Sequence, residues 1–237
     1  MRFKKIITVT ILNEPMKYFF GIFLLLIFFS CKKQEAELVI PPAPEASYRV
    51  VLETKWSSPA FTVPTGVHIT NIIGMVHAQD TFLWKQGSIA TLGLENVAEV
   101  GNNTRMGLEL DTIILKQKAL SKFSIFPPLI NGSVEFPLTF TTTFSYFSFA
   151  SMIAPSPDWF MGISNYNLIQ NNKWVEDITL DVLVYDAGTE EGDVFGYSNP
   201  ATIPQQNIVL LTPAYASVLA NGNAALGAIA TIRFIKN

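Results

Sequence analysis

Apolar and polar positions alternate with period two along most of this chain, and that alternation predicts β-strands. Residues 47–56 set Tyr48, Val50 and Leu52 on one side and Arg49, Val51 and Glu53 on the other. Residues 67–77 form a second strand rich in β-branched positions, with Gly74 inside it as a candidate bulge. Residues 134–140 read as a strand interrupted by Pro137, which places them at a sheet edge or a bulge. Residues 144–153 alternate Phe144, Tyr146 and Ser148 against Ser145, Phe147 and Phe149. Residues 165–172 read as a short strand and turn. Residues 174–185 then carry Ile178, Leu180, Val182 and Val184 on one face. Residues 207–211 are short and apolar, and 227–235 form a final strand. One segment breaks the alternation. In residues 89–100 the apolar positions follow a helical spacing, Glu95 and Glu99 lie four apart, and Gly101 suits the position just past a helix end. Residues 106–115 fit neither period clearly. The pattern predicts an all-β fold of seven to nine antiparallel strands with one short helix, and a sandwich is the default architecture.

Composition supports one packed domain. The chain has 237 residues, 49% hydrophobic and 12% aromatic, enough for one large all-β domain or two small ones. Its net charge is -3 with no basic block, which argues against nucleic acid as a partner. A single cysteine excludes an intrachain disulfide and a cysteine-built zinc site.

That cysteine sits behind an apolar run at residues 18–29, preceded by Lys17 and followed by Lys32 and Lys33. The run is short for a membrane span, and a positive flank precedes it as in a secretory signal. Phe28-Phe29-Ser30-Cys31 resembles the lipobox of bacterial lipoproteins, in the Phe-rich form of Bacteroidetes-type bacteria, with a looser match three positions before the cysteine. The resemblance implies cleavage after residue 30, a lipid on Cys31 and an address in the cell envelope as an outer-membrane lipoprotein. The alternative is a buried free cysteine ending a core helix. Met16-Lys17 is the better signal start, so translation beginning at Met16 is one reading of residues 1–15. Residues 31–237 carry 12 basic and 18 acidic side chains, a net charge of about -6. Residues 31–46 read as a tether, polar at first and then stiffened by Pro41, Pro42 and Pro44. Residues 47–237 form the folded domain.

The candidate chemistry is carboxylate chemistry. Ser156-Pro157-Asp158-Trp159-Phe160-Met161-Gly162 precedes the strand at 174–185, and Asp186-Ala187-Gly188-Thr189-Glu190 follows it. Ca²⁺ takes six to eight oxygen ligands from carboxylates, carbonyls and water. The small residues between Asp186 and Glu190 let the backbone curl so that both acids meet one ion. Each aspartate can equally be a turn residue bonding its own backbone. Enzymatic readings are thin. His68 and His77 are the only histidines, and no Gly-x-Ser-x-Gly elbow occurs. Asp186 and Glu190 could be pressed into service as a glycosidase pair, which keeps a carbohydrate-active enzyme or accessory module as the alternative. Trp56, Trp84, Trp159 and Trp174 read as core anchors before ligand platforms.

Several segments, in order, carry a family likeness. They are Tyr48-x-Val50-x-Leu52-Glu53-x-x-Trp56-Ser57, Ile73-Gly74-x-x-His77 with Leu83-Trp84-x-x-Gly87, Gly93-Leu94-x-x-Val97-Ala98-Glu99-x-Gly101, and the two acidic motifs, the second continuing to Gly192. Together they resemble the spondin N-terminal (F-spondin) domain of extracellular matrix proteins, over residues 48–204. The resemblance implies an antiparallel sandwich similar to C2 domains and one bound calcium. It implies that Asp158, Asp186 and Glu190 hold the metal, with Glu190 standing where the family has Asp. Animal relatives bind integrins and matrix components. Here the implied role is a surface binding or adhesion module whose partner is an unidentified extracellular protein or glycan, with the membrane reached through Cys31 and no catalytic function.

Overall fold

A computed structural model describes residues 40–127 and 130–237. Residues 1–30 and Cys31 lie outside the described residues. The strands are β1 (Glu45–Lys55), β2 (His68–Ile69), β3 (Ile72–His77), β4 (Ala119–Ile125), β5 (Asn131–Thr141) and β6 (Tyr146–Ala154). They continue with β7 (Trp159–Asn167), β8 (Ile169–Gln170), β9 (Lys173–Trp174), β10 (Asp177–Asp186), β11 (Val209–Leu210) and β12 (Ala230–Lys236). The helices are α1 (Leu92–Val100), α2 (Thr104–Leu115) and α3 (Ser217–Ala220).

The fold is all-β, as the alternation predicts. One ten-stranded sheet runs in the order β4-β3-β6-β7-β10-β12-β1-β5, with β11 added to β10 and β2 to β6, and every pairing is antiparallel. The sheet curls so that its two edges face each other. Phe123 of β4 and Phe136 of β5 pack with ring centroids 5.7 Å apart. The enclosed core is strongly aromatic. Phe147 stacks on Phe123 at 5.6 Å and meets Phe234 edge-on at 4.9 Å, arrangements that suit the ring quadrupoles.

Helices α1 and α2 cover the outer face of β3, β6 and β7 and form a second apolar cluster with Met75, Trp84, Ala150 and Phe160. This explains why β6 is buried at eight of its nine positions. A strand covered on both faces reads as a continuous apolar run. The helical spacing at 89–100 resolves into α1. Thr91 caps its start by accepting from the Leu94 N–H at 3.2 Å. Gly101 ends it at φ 64°, a left-handed conformation that glycine adopts without strain.

The structure refines several expectations. The ambiguous segment 106–115 is helical, and α3 is a third short helix. The strand expected over 67–77 is split into β2 and β3, and that over 174–185 into β9 and β10. Strand β4, not read from the sequence, alternates buried or half-buried Ala119, Ser121, Phe123 and Ile125 with exposed Leu120, Lys122 and Ser124, and it pairs with β3. Pro137 does sit on an edge strand, β5, opposite Arg49. Residues 40–44, read as tether, touch the domain: the Trp174 indole N–H donates to the Ala43 carbonyl at 2.7 Å, and the Thr142 N–H to that of Pro44 at 3.0 Å. All four tryptophans are buried. Among the described residues no helix is long and apolar enough to cross a membrane.

Candidate functional site

Sheet register brings the two acidic motifs together. Strands β7 and β10 pair with Trp159 opposite Asp186, and the Ala187 N–H donates to the Asp158 carbonyl at 3.2 Å. Asp158 ends the turn that enters β7 and Asp186 ends β10, so residues 28 apart in sequence become neighbours. Ser156 shapes the first turn: its hydroxyl donates to the Ile153 carbonyl at 2.6 Å and accepts from the Trp159 N–H at 3.3 Å.

Asp158 is the centre of the site and has no solvent exposure. Its Oδ2 accepts three hydrogen bonds: from the Thr189 N–H at 2.6 Å, the Thr189 hydroxyl at 3.1 Å and the Glu190 N–H at 3.1 Å. Successive N–H groups turned on one anion form a nest, which favours a charged carboxylate. The other oxygen, Oδ1, is buried without a hydrogen-bond partner. Burial outweighs the three bonds and raises the Asp158 pKa above its ordinary value.

Asp186 accepts from the Gly188 N–H through Oδ1 at 2.7 Å, the Asx turn that ordinary turn chemistry predicts. Burial, then the adjacent Asp158 charge, push its pKa up to about 7. Glu190 accepts from the Asn199 side-chain amide at 3.2 Å. Its pKa is also raised, first by burial and also by Asp158. The turn between them depends on Gly188. It has φ 74°, and a Cβ there would lie 2.3 Å from the Gln206 carbonyl oxygen. The returning segment brackets the turn: the Gln206 N–H donates to the Gly188 carbonyl and that of Thr202 to the Thr189 carbonyl, both at 2.8 Å.

The arrangement therefore brings Asp158 and Asp186 side by side and places Glu190 within the field of Asp158. As they stand, no three acidic, histidine or cysteine side chains among the described residues form a group that could hold a metal ion, and the Glu190 carboxylate is held by Asn199. The donor chemistry nevertheless fits a hard cation. All three groups are oxygen donors, one buried oxygen lacks a partner, and the Asp158 charge opposes the ionisation of Asp186 and Glu190.

Sequence reasoning missed three contributors. Thr189 supplies two of the three donors to Asp158, and Asn199 orients Glu190. Glu99, read only for its helical spacing from Glu95 and its place in the family-like segment, has its pKa raised mainly by burial, with the charges of Glu190, Glu95 and Asp158 adding to the rise. Its membership in the segment 93–101 that carries the family likeness was the available signal.

The histidines stand apart. His68 is exposed. His77 is fully buried, with Nδ1 2.8 Å from the Ala78 carbonyl oxygen and Nε2 2.8 Å from the Ser148 hydroxyl. Ser148 also accepts from the Asn165 N–H at 2.8 Å. Ser148 is buried too, so this serine–histidine pair is a closed network that pins irregular register in β3 and between β6 and β7. Surface hollows of about 370, 330 and 380 Å³ lie elsewhere, and none is lined by Asp158, Asp186 or Glu190.

The family model of Spondin_N matches residues 46–222, a span that contains both acidic motifs, α1 and the sheet that joins them. The chain belongs to the Spondin_N family. It is 30% identical to rat Spondin-2 over 192 residues, covering 78% of this chain and 58% of that protein. Human Spondin-2 is 30% identical over 183 residues, 74% of this chain and 55% of its own length. Bovine Spondin-1 is 31% identical over 176 residues, 70% of this chain and 22% of its own length. The chain thus spans little more than half of the Spondin-2 proteins and under a quarter of Spondin-1.

Proposed function

We propose that this spondin domain is a calcium-stabilised binding module, displayed at a bacterial cell surface by a lipid on Cys31. Asp158, Asp186 and Glu190 would hold the ion. The observation that carries the reading is the Asp158 carboxylate, fully buried with Oδ1 unpartnered and flanked by acids whose ionisation it opposes. A buried charge without compensation is costly, and a divalent cation supplies that compensation. Its role would be structural: it would neutralise the cluster and join the turn entering β7 to the loop after β10. The acids would then serve the fold, and the domain surface would meet an extracellular protein or glycan.

Isothermal titration with Ca²⁺, and melting with and without EDTA, test the metal. Saturable binding and a melting temperature raised by calcium are expected. No binding together with an unmoved melting temperature overturns the reading. The anchor is tested separately. Cys31→Ala is expected to leave the membrane fraction, and continued tight membrane association of that variant overturns the lipid assignment.

A further inference from the structure

One of the surface hollows, of about 370 Å³, lies between the first turns of α2 and strand β4. That volume falls within the roughly 300–1,000 Å³ of small-ligand sites. Asn103, Thr104 and Gly107 wall it on the helix side, and Lys122 and Ser124 on the strand side. Ile73 of β3 adds apolar surface.

Two features of these walls are not accounted for by the fold. The first is Asn103. It occupies the N-cap position of α2, where a side-chain oxygen ordinarily accepts from first-turn N–H groups, yet it makes no capping bond. Its amide nitrogen donates instead to the Asn71 carbonyl at 2.8 Å. A carbonyl can accept only from the NH₂ end, so this bond fixes which end of the amide is oxygen. That oxygen, Oδ1, has no hydrogen-bond partner among the described residues. The residue as a whole is only partly buried, so a small turn of the amide presents the oxygen to a ligand. Four buried side-chain atoms lack a partner, on Asn103, Asp158, Trp159 and Asn165. Of these residues only Asn103 walls one of the three hollows.

The second feature is Gly107. Glycine inside a helix is less favourable than alanine. Packing does not demand it here, because an added Cβ would meet only the Lys122 ammonium, at an ordinary contact distance of 3.8 Å. The missing side chain leaves the hollow open.

The chemistry of the walls selects the ligand. Asn103 Oδ1 needs a donor. The Lys122 ammonium uses two of its three protons, on the Gly107 carbonyl at 3.2 Å and on Asp111 Oδ2 at 2.6 Å, which leaves one for an acceptor. The Thr104 and Ser124 hydroxyls can donate or accept. Groups of both kinds beside apolar surface suit adjacent hydroxyls on a sugar ring. The charges here are already balanced, since Lys122 is paired with Asp111 and Arg105 with Glu109 at 3.6 Å. An uncharged sugar therefore fits better than an acidic one.

We infer that the crevice between α2 and β4 binds a neutral hexose unit of a glycan through Asn103, Thr104, Lys122 and Ser124. The inference rests on the reading of the domain as a binding module and selects a glycan as what meets this surface. It is independent of calcium, because none of these residues belongs to the acidic motifs.

The test follows backbone amide NMR shifts of the full chain during titration with the methyl glycosides of glucose, galactose and mannose, and with methyl glucuronide, in Ca²⁺ and in EDTA. Saturable shifts centred on residues 103–107 and 122–124 are expected with at least one neutral glycoside in both conditions. Gly107→Ala puts a methyl group into the hollow. It is expected to melt at or above the wild-type temperature and to bind about tenfold or more weakly. Ser124→Ala, which removes an exposed hydroxyl, is expected to weaken binding with melting unchanged. No saturable shift with any neutral glycoside, shifts centred elsewhere, or wild-type affinity in Gly107→Ala overturns the inference and leaves the calcium reading standing. Preference for the glucuronide over all three neutral sugars overturns the choice of an uncharged ligand. Sugar binding by a chain that fails to bind calcium supports this inference and overturns the calcium reading alone.

Discussion

Asp158 Oδ2 lies 2.6 Å from the backbone nitrogen of Thr189, a residue 31 positions further along the chain. This bond and its two companions fasten the turn entering β7 to the loop leaving β10. They also leave Oδ1 of the same carboxylate buried and unpaired. One side chain therefore both organises the site and leaves one of its own oxygens buried without a partner.

Substitutions at Asp158 separate these two roles. Asp158→Asn keeps one acceptor oxygen for the Thr189 and Glu190 donors, whereas Asp158→Ala leaves three donors unsatisfied. In EDTA the alanine variant is expected to be less stable than the asparagine variant by about 2–3 kcal/mol, read as a difference in denaturation midpoints. Both are expected to lose calcium binding. Equal stability of the two would show that the three hydrogen bonds contribute nothing.

Asp186 predicts a pH dependence with a definite sign. Its pKa in the fold, about 7, lies above its value in the unfolded chain, near 3.9. The metal-free fold therefore holds this proton more tightly than the unfolded chain does. Its contribution is fully present below about pH 4 and is lost as pH rises through 7. In EDTA, Asp186→Asn is expected to be more stable than wild type at pH 8, with the gap closing toward pH 4. With saturating Ca²⁺ at pH 8 the order is expected to reverse. Thermal melts across that range would expose a wrong sign directly.

His77 works in the opposite direction. Burial lowers its pKa, and the Ala78 carbonyl only partly offsets this. Below about pH 6.5 the unfolded chain takes up a proton that the folded site resists. Stability is thus present above pH 6.5 and lost as pH falls, by at most about 1.4 kcal/mol per pH unit for one group. Urea midpoints at pH 7.5 and 5 are expected to fall more steeply in wild type than in His77→Gln. Parallel slopes would remove His77 from the acid response.

Gly188→Ala tests the turn itself. A side chain at φ 74° is strained, and its Cβ would collide with the Gln206 backbone at 2.3 Å. A loss of about 2–4 kcal/mol is expected, with weaker calcium binding because Thr189 and Asp186 shift together. A fully stable variant would mean that the loop rearranges freely.

The amino-acid pattern alone determined the all-β class of this protein and singled out its two acidic turn motifs. Alternation at 47–56 and at 174–185 survives as β1 and β10 because one face of each strand is buried and the other is wet. The ordered motifs point to Asp158, Asp186 and Glu190 because short turn motifs retain their spacing. The strand over 144–153 was legible and became β6, although α1 and α2 bury eight of its nine positions. The segment 119–125 was not read as a strand, and it becomes β4 by pairing with β3 more than forty positions upstream. Only tertiary structure decided how the acids are used. The β7–β10 register sets Trp159 opposite Asp186 and so brings Asp158 beside Asp186, and the loop returning through Gln206 holds the turn that presents Thr189 and Glu190 to Asp158. Periodicity reports which face of an element is buried. Which charges share that burial depends on contacts between distant segments, and these set the electrostatics of the site.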